Sequence, residues 1–249
     1  MKPILMKIAT WIAIMITFHF SVLAQKKETT FQSLYWTRYY NQLTINEKLT
    51  WHNEIDNRTF FQNNRHHHFI MHSRLHRKLS KNMDVAFGIT YSLQSPQDPN
   101  SNSTLIIPEI RPHQEINYVN SINKRWSIQQ RFRLDERFFR RNNGTELMDG
   151  FDFNVRFRYR VQVNYKLSKP ENLKPTTLKI ADELMLNAGK NIVYNQFDQN
   201  RVYLAVEQVF NKNFSFELGY MNWYQQRALG YQFFKRDIFR LTLYHKIKL

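Results

Sequence analysis

The 249-residue chain has no cysteine, only six glycines and seven prolines. Without cysteine there is no disulfide, no thiolate metal site and no thiol nucleophile. Glycine is too thinly spread to form a phosphate-cradling loop. No run of 18 apolar residues follows residue 24, which excludes a transmembrane helix there. Negative charge is also scarce: 20 acidic residues face 36 basic ones, a formal charge of +16. Such a balance fits nucleic acid, anionic lipid or acidic ligands. Here the basic residues alternate along the chain instead of gathering in a tail or helix, so nucleic acid is not an expected partner.

The first 24 residues read as a secretory signal. Lys2 and Lys7 make a basic start, Ile8 to Leu23 an apolar stretch, and Val22-Leu23-Ala24 a small-x-small end of the kind signal peptidase cuts. Residues 25–249 are then one mature domain. The 36 basic residues include Lys2 and Lys7, so 34 remain against 20 acidic, or +14. No cysteine follows the cut, which excludes a lipid-anchored N-terminus.

From Phe151 to Lys166 the chain alternates without a fault. Phe151, Phe153, Val155, Phe157, Tyr159, Val161, Val163 and Tyr165 fall on one side; Asp152, Asn154, Arg156, Arg158, Arg160, Gln162, Asn164 and Lys166 on the other. Successive strand side chains point to opposite faces, so this is one strand with an apolar and a charged face. It exceeds the roughly 5–6 residues usual in globular sheets and suits a tilted bilayer crossing of about 9–11 residues that continues past the membrane. The expected fold is an all-β, antiparallel transmembrane barrel.

A short phrase recurs at Ile45–Trp51, Leu79–Val85, Ile122–Ile128 and Phe210–Phe216: a hydrophobe, Asn or Ser, a nearby Lys, then a fresh alternating run. Asn and Ser tolerate turn geometry, so these are hairpin turns at one end of the molecule. Longer polar connections, Gln94–Thr104, Arg140–Gly150 and Lys190–Asp198, belong to the other end. Short periplasmic turns and longer extracellular loops are the outer-membrane pattern of a Gram-negative cell. About eleven runs read as strands. Single-chain bacterial barrels have even counts, so the expectation is 10–12 strands, with one missed near the N-terminus or one miscounted.

A soluble lipocalin-like barrel also alternates, with its apolar face inward. The long strands, the aromatics near strand ends (Phe151 and Tyr165, Trp126 and Phe138) and the loop pattern favour the apolar face outward. Arg156, Arg158 and Arg160 must then face the lumen, because Arg on the lipid side at the midplane costs about 2–4 kcal/mol. The same phase places Glu54, Asp56 and Arg58 inside, then Glu109, Arg111, His113 and Glu115, then Arg131, Arg133, Asp135 and Arg137, and later Glu183, Arg201 and Glu207. Buried charges demand partners, so these rows predict a lumen network of ion pairs, in a structural or adaptor barrel with a plugged lumen or in one with a ligand site or narrow anion or small-solute passage. Large side chains are expected to fill much of so narrow a barrel.

Two chemical alternatives arise. His66, His68, His72 and His76 share a strand face with Arg74, but Arg65, Arg77 and Lys78 nearby repel cations, so no metal or other cofactor is assigned. His113 lies between Glu109 and Glu115, and His52 near Glu54 and Asp56, so acid–base pairs are geometrically possible. A barrel hydrolase acting on lipid or lipopolysaccharide is therefore the second reading, but no Ser sits in a nucleophile setting and no catalytic residue is assigned.

Trp36, then Trp51-His52-Asn53-Glu54-Ile55-Asp56-Asn57-Arg58, Pro108-Glu109-Ile110-Arg111-Pro112-His113-Gln114, Gln130–Phe138, Phe197-Asp198-Gln199-Asn200-Arg201 and Leu218-Gly219-Tyr220 follow in order. This set resembles the domain-of-unknown-function 2490 family across nearly all of the mature chain. The resemblance implies a signal-bearing outer-membrane β-barrel and carries no established activity. Outer-membrane lipid and lipopolysaccharide, and the barrel-assembly machinery during insertion, are the partners expected of that class; the sequence leaves the oligomeric state open.

Overall fold

The computed structural model describes residues 27–169 and 171–249; the signal reading for residues 1–24 falls outside them. The strands are β1 (Glu28–Thr44), β2 (Leu49–Phe60), β3 (His66–Lys78), β4 (Met83–Gln94), β5 (Ile107–Ser121), β6 (Trp126–Asn142), β7 (Leu147–Lys166), β8 (Thr176–Ala188), β9 (Phe197–Val209), β10 (Phe214–Gln226) and β11 (Gln232–Lys248). They close into a barrel in which sequence neighbours pair antiparallel. The exception is the closing pair: β1 and β11 run parallel, from Glu28 opposite Gln232 to Thr44 opposite Lys248.

That closure corrects the expectation of an even count. Eleven strands form the ring, and there is no twelfth among the described residues. An odd number of up-and-down strands forces the first and last to point the same way, and the slanted bonds of a parallel ladder join them.

Alternation sets the faces throughout. In β8, Ala181, Glu183, Met185 and Asn187 are buried, while Ile180, Asp182, Leu184 and Leu186 are exposed. The outer face is a belt of aliphatic and aromatic side chains, with Phe87, Phe132, Phe157, Leu218 and Phe239 each more than half exposed. The interior is divided. Leu34, Trp36, Phe60, Ala181, Tyr203, Ala205, Met221, Trp223 and Ile238 form an apolar cluster on β1, β2 and β8–β11, and buried charges fill the rest of the interior.

The recurring turns share one geometry. In each, the residue before the Asn or Ser and that residue itself donate to a single carbonyl: Ile45 and Asn46 to Leu49, Leu79 and Ser80 to Met83, Ile122 and Asn123 to Trp126, Phe210 and Asn211 to Phe214. Asn46, Asn123 and Asn211 each accept two backbone N–H groups on Oδ1 at 2.8–2.9 Å. The Asn side chain thus builds the turn that glycine-poor sequence cannot. These turns lie at one end, with the 167–175 connection. The other end carries 61–65, 95–106, 143–146, 189–196 and 227–231. Arg140–Gly150 is therefore not a long loop. β6 and β7 run on to a four-residue turn at Asn143, whose Oδ1 accepts from Thr145 and Glu146. This overhang is exposed on both faces, which removes the apolar half of the alternation from which strands are recognised.

Two glycines permit close approach. A Cβ on Gly88 would meet Ser73 O and Arg74 Cβ at 2.5 Å, and one on Gly219 would enter the Tyr203 ring, with Cε2 at 2.5 Å. Tyr203 lies over Gly219 and donates to Glu217 at 2.7 Å. Gly219→Ala is expected to displace that ring and lower stability by about 1–3 kcal/mol, as overpacking does; the midpoint of urea unfolding measures it.

Candidate functional site

The charged wall begins with β6 and β7. Their register sets Arg131 opposite Arg160, Arg133 opposite Arg158 and Asp135 opposite Arg156, with Arg137 opposite Asn154. Like charges directly across a ladder repel, and the buried acid that these two strands bring is Asp135. The compensating carboxylates come from neighbouring strands. Glu109 on β5 accepts from Arg111 (2.6 Å) and Arg137 (2.6 Å). Glu115 accepts from Arg133 at 2.9 Å and also faces Arg74. Glu183 on β8 accepts from Arg131 (2.6 Å) and Arg158 (2.8 Å), and Asp198 on β9 from Arg156 at 2.8 Å.

The network continues on the far side. Glu54 holds Arg38 and Arg74. Asp56 holds Arg58, whose guanidinium lies 3.8 Å over the Trp36 ring. Glu217 collects Lys179, Arg240 and the hydroxyls of Tyr203 and Tyr244. Each of these ion pairs joins positions on the same strand or on strands one or two apart, so the bonds run around the wall instead of across the axis.

The axis consequently holds a cavity. A cavity of about 870 Å3 is lined from Gln42 and Lys246 near the Asn-turn end to Ile192 and Arg227 near the other. The 95–106 loop folds over the second mouth. Gln97 accepts there from Arg236 (2.9 Å) and His67 (3.1 Å), and its carbonyl accepts from Gln32. Arg65 fastens the loop by donating to the carbonyls of Ser101 and Ser103.

All seventeen acidic, basic and histidine positions read from the sequence as lumen candidates point inward. Glu54, Asp56, Arg58, Arg111, Arg131, Arg133, Arg137, Arg156, Arg158, Arg160, Glu183, Arg201 and Glu207 line the cavity. Glu109, His113, Glu115 and Asp135 sit behind the guanidiniums, against the wall. His113 is 1% exposed, and its near partners are Thr90 Oγ1 and the Arg111 carbonyl, both at 3.4 Å.

The histidine run is not one uniform face. A register shift between Arg58 and Thr59 leaves His67 as the extra residue of β3, and both His67 and His68 are buried. His72 bonds Thr90 and His76 bonds Asp84. At the Asn-turn end His52 stacks on His76 at 3.9 Å and meets the Tyr40 hydroxyl at 2.6 Å.

Sequence reasoning missed Arg38, Lys179, Asp198, Glu217, Arg236 and Arg240. For Glu217 a signal existed, since it is a lone acid between Phe216 and Leu218 on the phase of Ser215 and Gly219. In β11 there was none: Phe234, Arg236, Ile238 and Arg240 point inward while Lys235 and Asp237 point out, so neither face is purely polar.

The fold and its interior define a closed β-barrel of inverted polarity, with ion pairs inside and an apolar belt outside. The family described as "Protein of unknown function (DUF2490)" matches residues 34–233, well over half of the chain, and the chain belongs to that family. No curated protein matches it.

Proposed function

We propose that this protein is an outer-membrane β-barrel, exported by cleavage after Ala24, whose lumen passes small anions or small solutes. The membrane placement rests on the outer belt: contiguous exposed apolar surface of this extent marks a lipid or protein contact, and it encircles the barrel. The loop-bearing end then faces outward and meets lipopolysaccharide. The passage reading is carried by one observation: ion pairs confined to the wall leave the polar cavity along the axis. Rings of Arg favour anions. The hydrolase alternative would need His113 to reach a substrate, yet it lies behind the guanidiniums, and Glu109 and Glu115 are both held by arginines.

Conductance of the purified mature chain in a planar bilayer tests this, with reversal potential under a salt gradient. Small, anion-preferring conductance is expected. Arg65→Ala, which unfastens the 95–106 loop, should raise it several-fold. Insertion, shown by heat-shifted gel mobility, without conductance in either form would overturn passage and leave a structural or adaptor barrel.

A further inference from the structure

Among the described residues, three inward arginines on the strands have no carboxylate within ion-pair distance: Arg160, Arg201 and Arg236. They fall on one row of the sheet. Arg160 is opposite Glu183, Glu183 opposite Arg201, Arg201 opposite Trp223 and Trp223 opposite Arg236. The only acid in this row, Glu183, is taken by Arg131 and Arg158. Arg236 is fully buried, and each of its three nitrogens donates to a side-chain carbonyl, of Gln32, Gln225 and Gln97. Arg160 and Arg201 differ, because both line the cavity. No nitrogen of Arg160 has a hydrogen-bond partner among the described residues. Arg201 spends only Nε, on Gln199 at 2.7 Å. Its guanidinium rests 4.7 Å from the Trp223 ring, which leaves both terminal amino groups free.

Guanidiniums removed from bulk water and left without counter-charge are costly. Two of them stand two strand spacings apart, roughly 10 Å between α-carbons, and open on one cavity. We propose that Arg160 and Arg201 form a binding site for a divalent oxyanion of the phosphate class. The planar guanidinium fork matches phosphate oxygens in pairs, and a doubly charged tetrahedral group can engage both forks where a halide cannot. The proposal names the solute class for the anion reading above and rests on that reading's lumen, but binding is measurable without passage.

The test is thermal unfolding of the mature barrel in detergent, with inorganic phosphate or with chloride at matched ionic strength. Phosphate at about 100 times its dissociation constant should raise the transition by roughly 5–10 °C, and chloride should not. Arg160→Gln and the Arg160→Gln/Arg201→Gln pair should lose the response. Without phosphate, Arg160→Gln should melt at or above the parent temperature, since it relieves repulsion from Arg131. Arg137→Gln, which breaks a made ion pair, should melt lower and keep the response. A sugar phosphate that acts as well as inorganic phosphate supports the site and marks the phosphate group as the part recognised; a response to the free ion alone supports the site and restricts it. Equal shifts from phosphate and chloride, or a phosphate shift that survives in the double variant, would overturn the proposal whether or not the barrel conducts.

Discussion

Glu109→Ala is expected to lower the unfolding free energy by about 3–5 kcal/mol, the range for removing one member of a buried ion pair. Glu109 is 0% exposed and its two oxygens accept five hydrogen bonds. Arg111 donates Nε at 3.0 Å and Nη2 at 2.6 Å, and Arg137 donates Nε at 2.6 Å. Ser92 and Gln94 complete the set at 3.0 and 2.8 Å. Truncation strands two guanidiniums in a wall that already carries Arg133, Arg156 and Arg158. The loss is of charge, not of volume, so Glu109→Gln should recover little. Urea titration followed by tryptophan fluorescence measures both. The Arg137→Ala cycle apportions the effect: with Arg137 also absent, one orphaned charge is gone, and the Glu109→Ala penalty should shrink. Equal penalties in both backgrounds would mean that water in the lumen, not Glu109, solvates Arg137.

The faces of this barrel were legible in sequence where one side is purely apolar, and illegible where both sides are mixed. Phe151–Lys166 shows its phase residue by residue, and Arg156, Arg158 and Arg160 follow from it. β11 shows no phase, because its inner face carries Phe234 and Ile238 beside the apolar cluster. The ends of β6 and β7 were hidden for the opposite reason, since in water both faces of a strand can be polar. Strand pairing has a separate difficulty. Parity tells which way a side chain points but not which acid it meets, because stagger between strands brings together residues distant in the chain. Arg131 finds Glu183 across 52 positions and Arg38 finds Tyr244 across 206. The count of eleven was present in the alternation. An even-number rule argued against it, and only the parallel β1–β11 ladder resolves the conflict.

Phe157→Arg should cost about 2–4 kcal/mol if lipid surrounds the barrel, the depth-dependent penalty for a cation on the outer face near the midplane. Phe157 sits midway along β7, 53% exposed, between Leu134 on β6 and Leu186 on β8. In water the same change at so exposed a position would fall within about 0.5 kcal/mol of neutral. The two environments therefore give opposite answers from one substitution. Leu147→Arg supplies the depth control. It is also an exposed apolar residue of β7 but lies at the tip of the overhang, where the penalty should fall to about 0–1 kcal/mol. Reversible folding into lipid vesicles, titrated with denaturant, measures all three chains. A gradient from Leu147 to Phe157 would place the strand centre in hydrocarbon. Two near-neutral values would instead mean that the strand centre does not meet hydrocarbon, and would overturn the membrane placement of the belt.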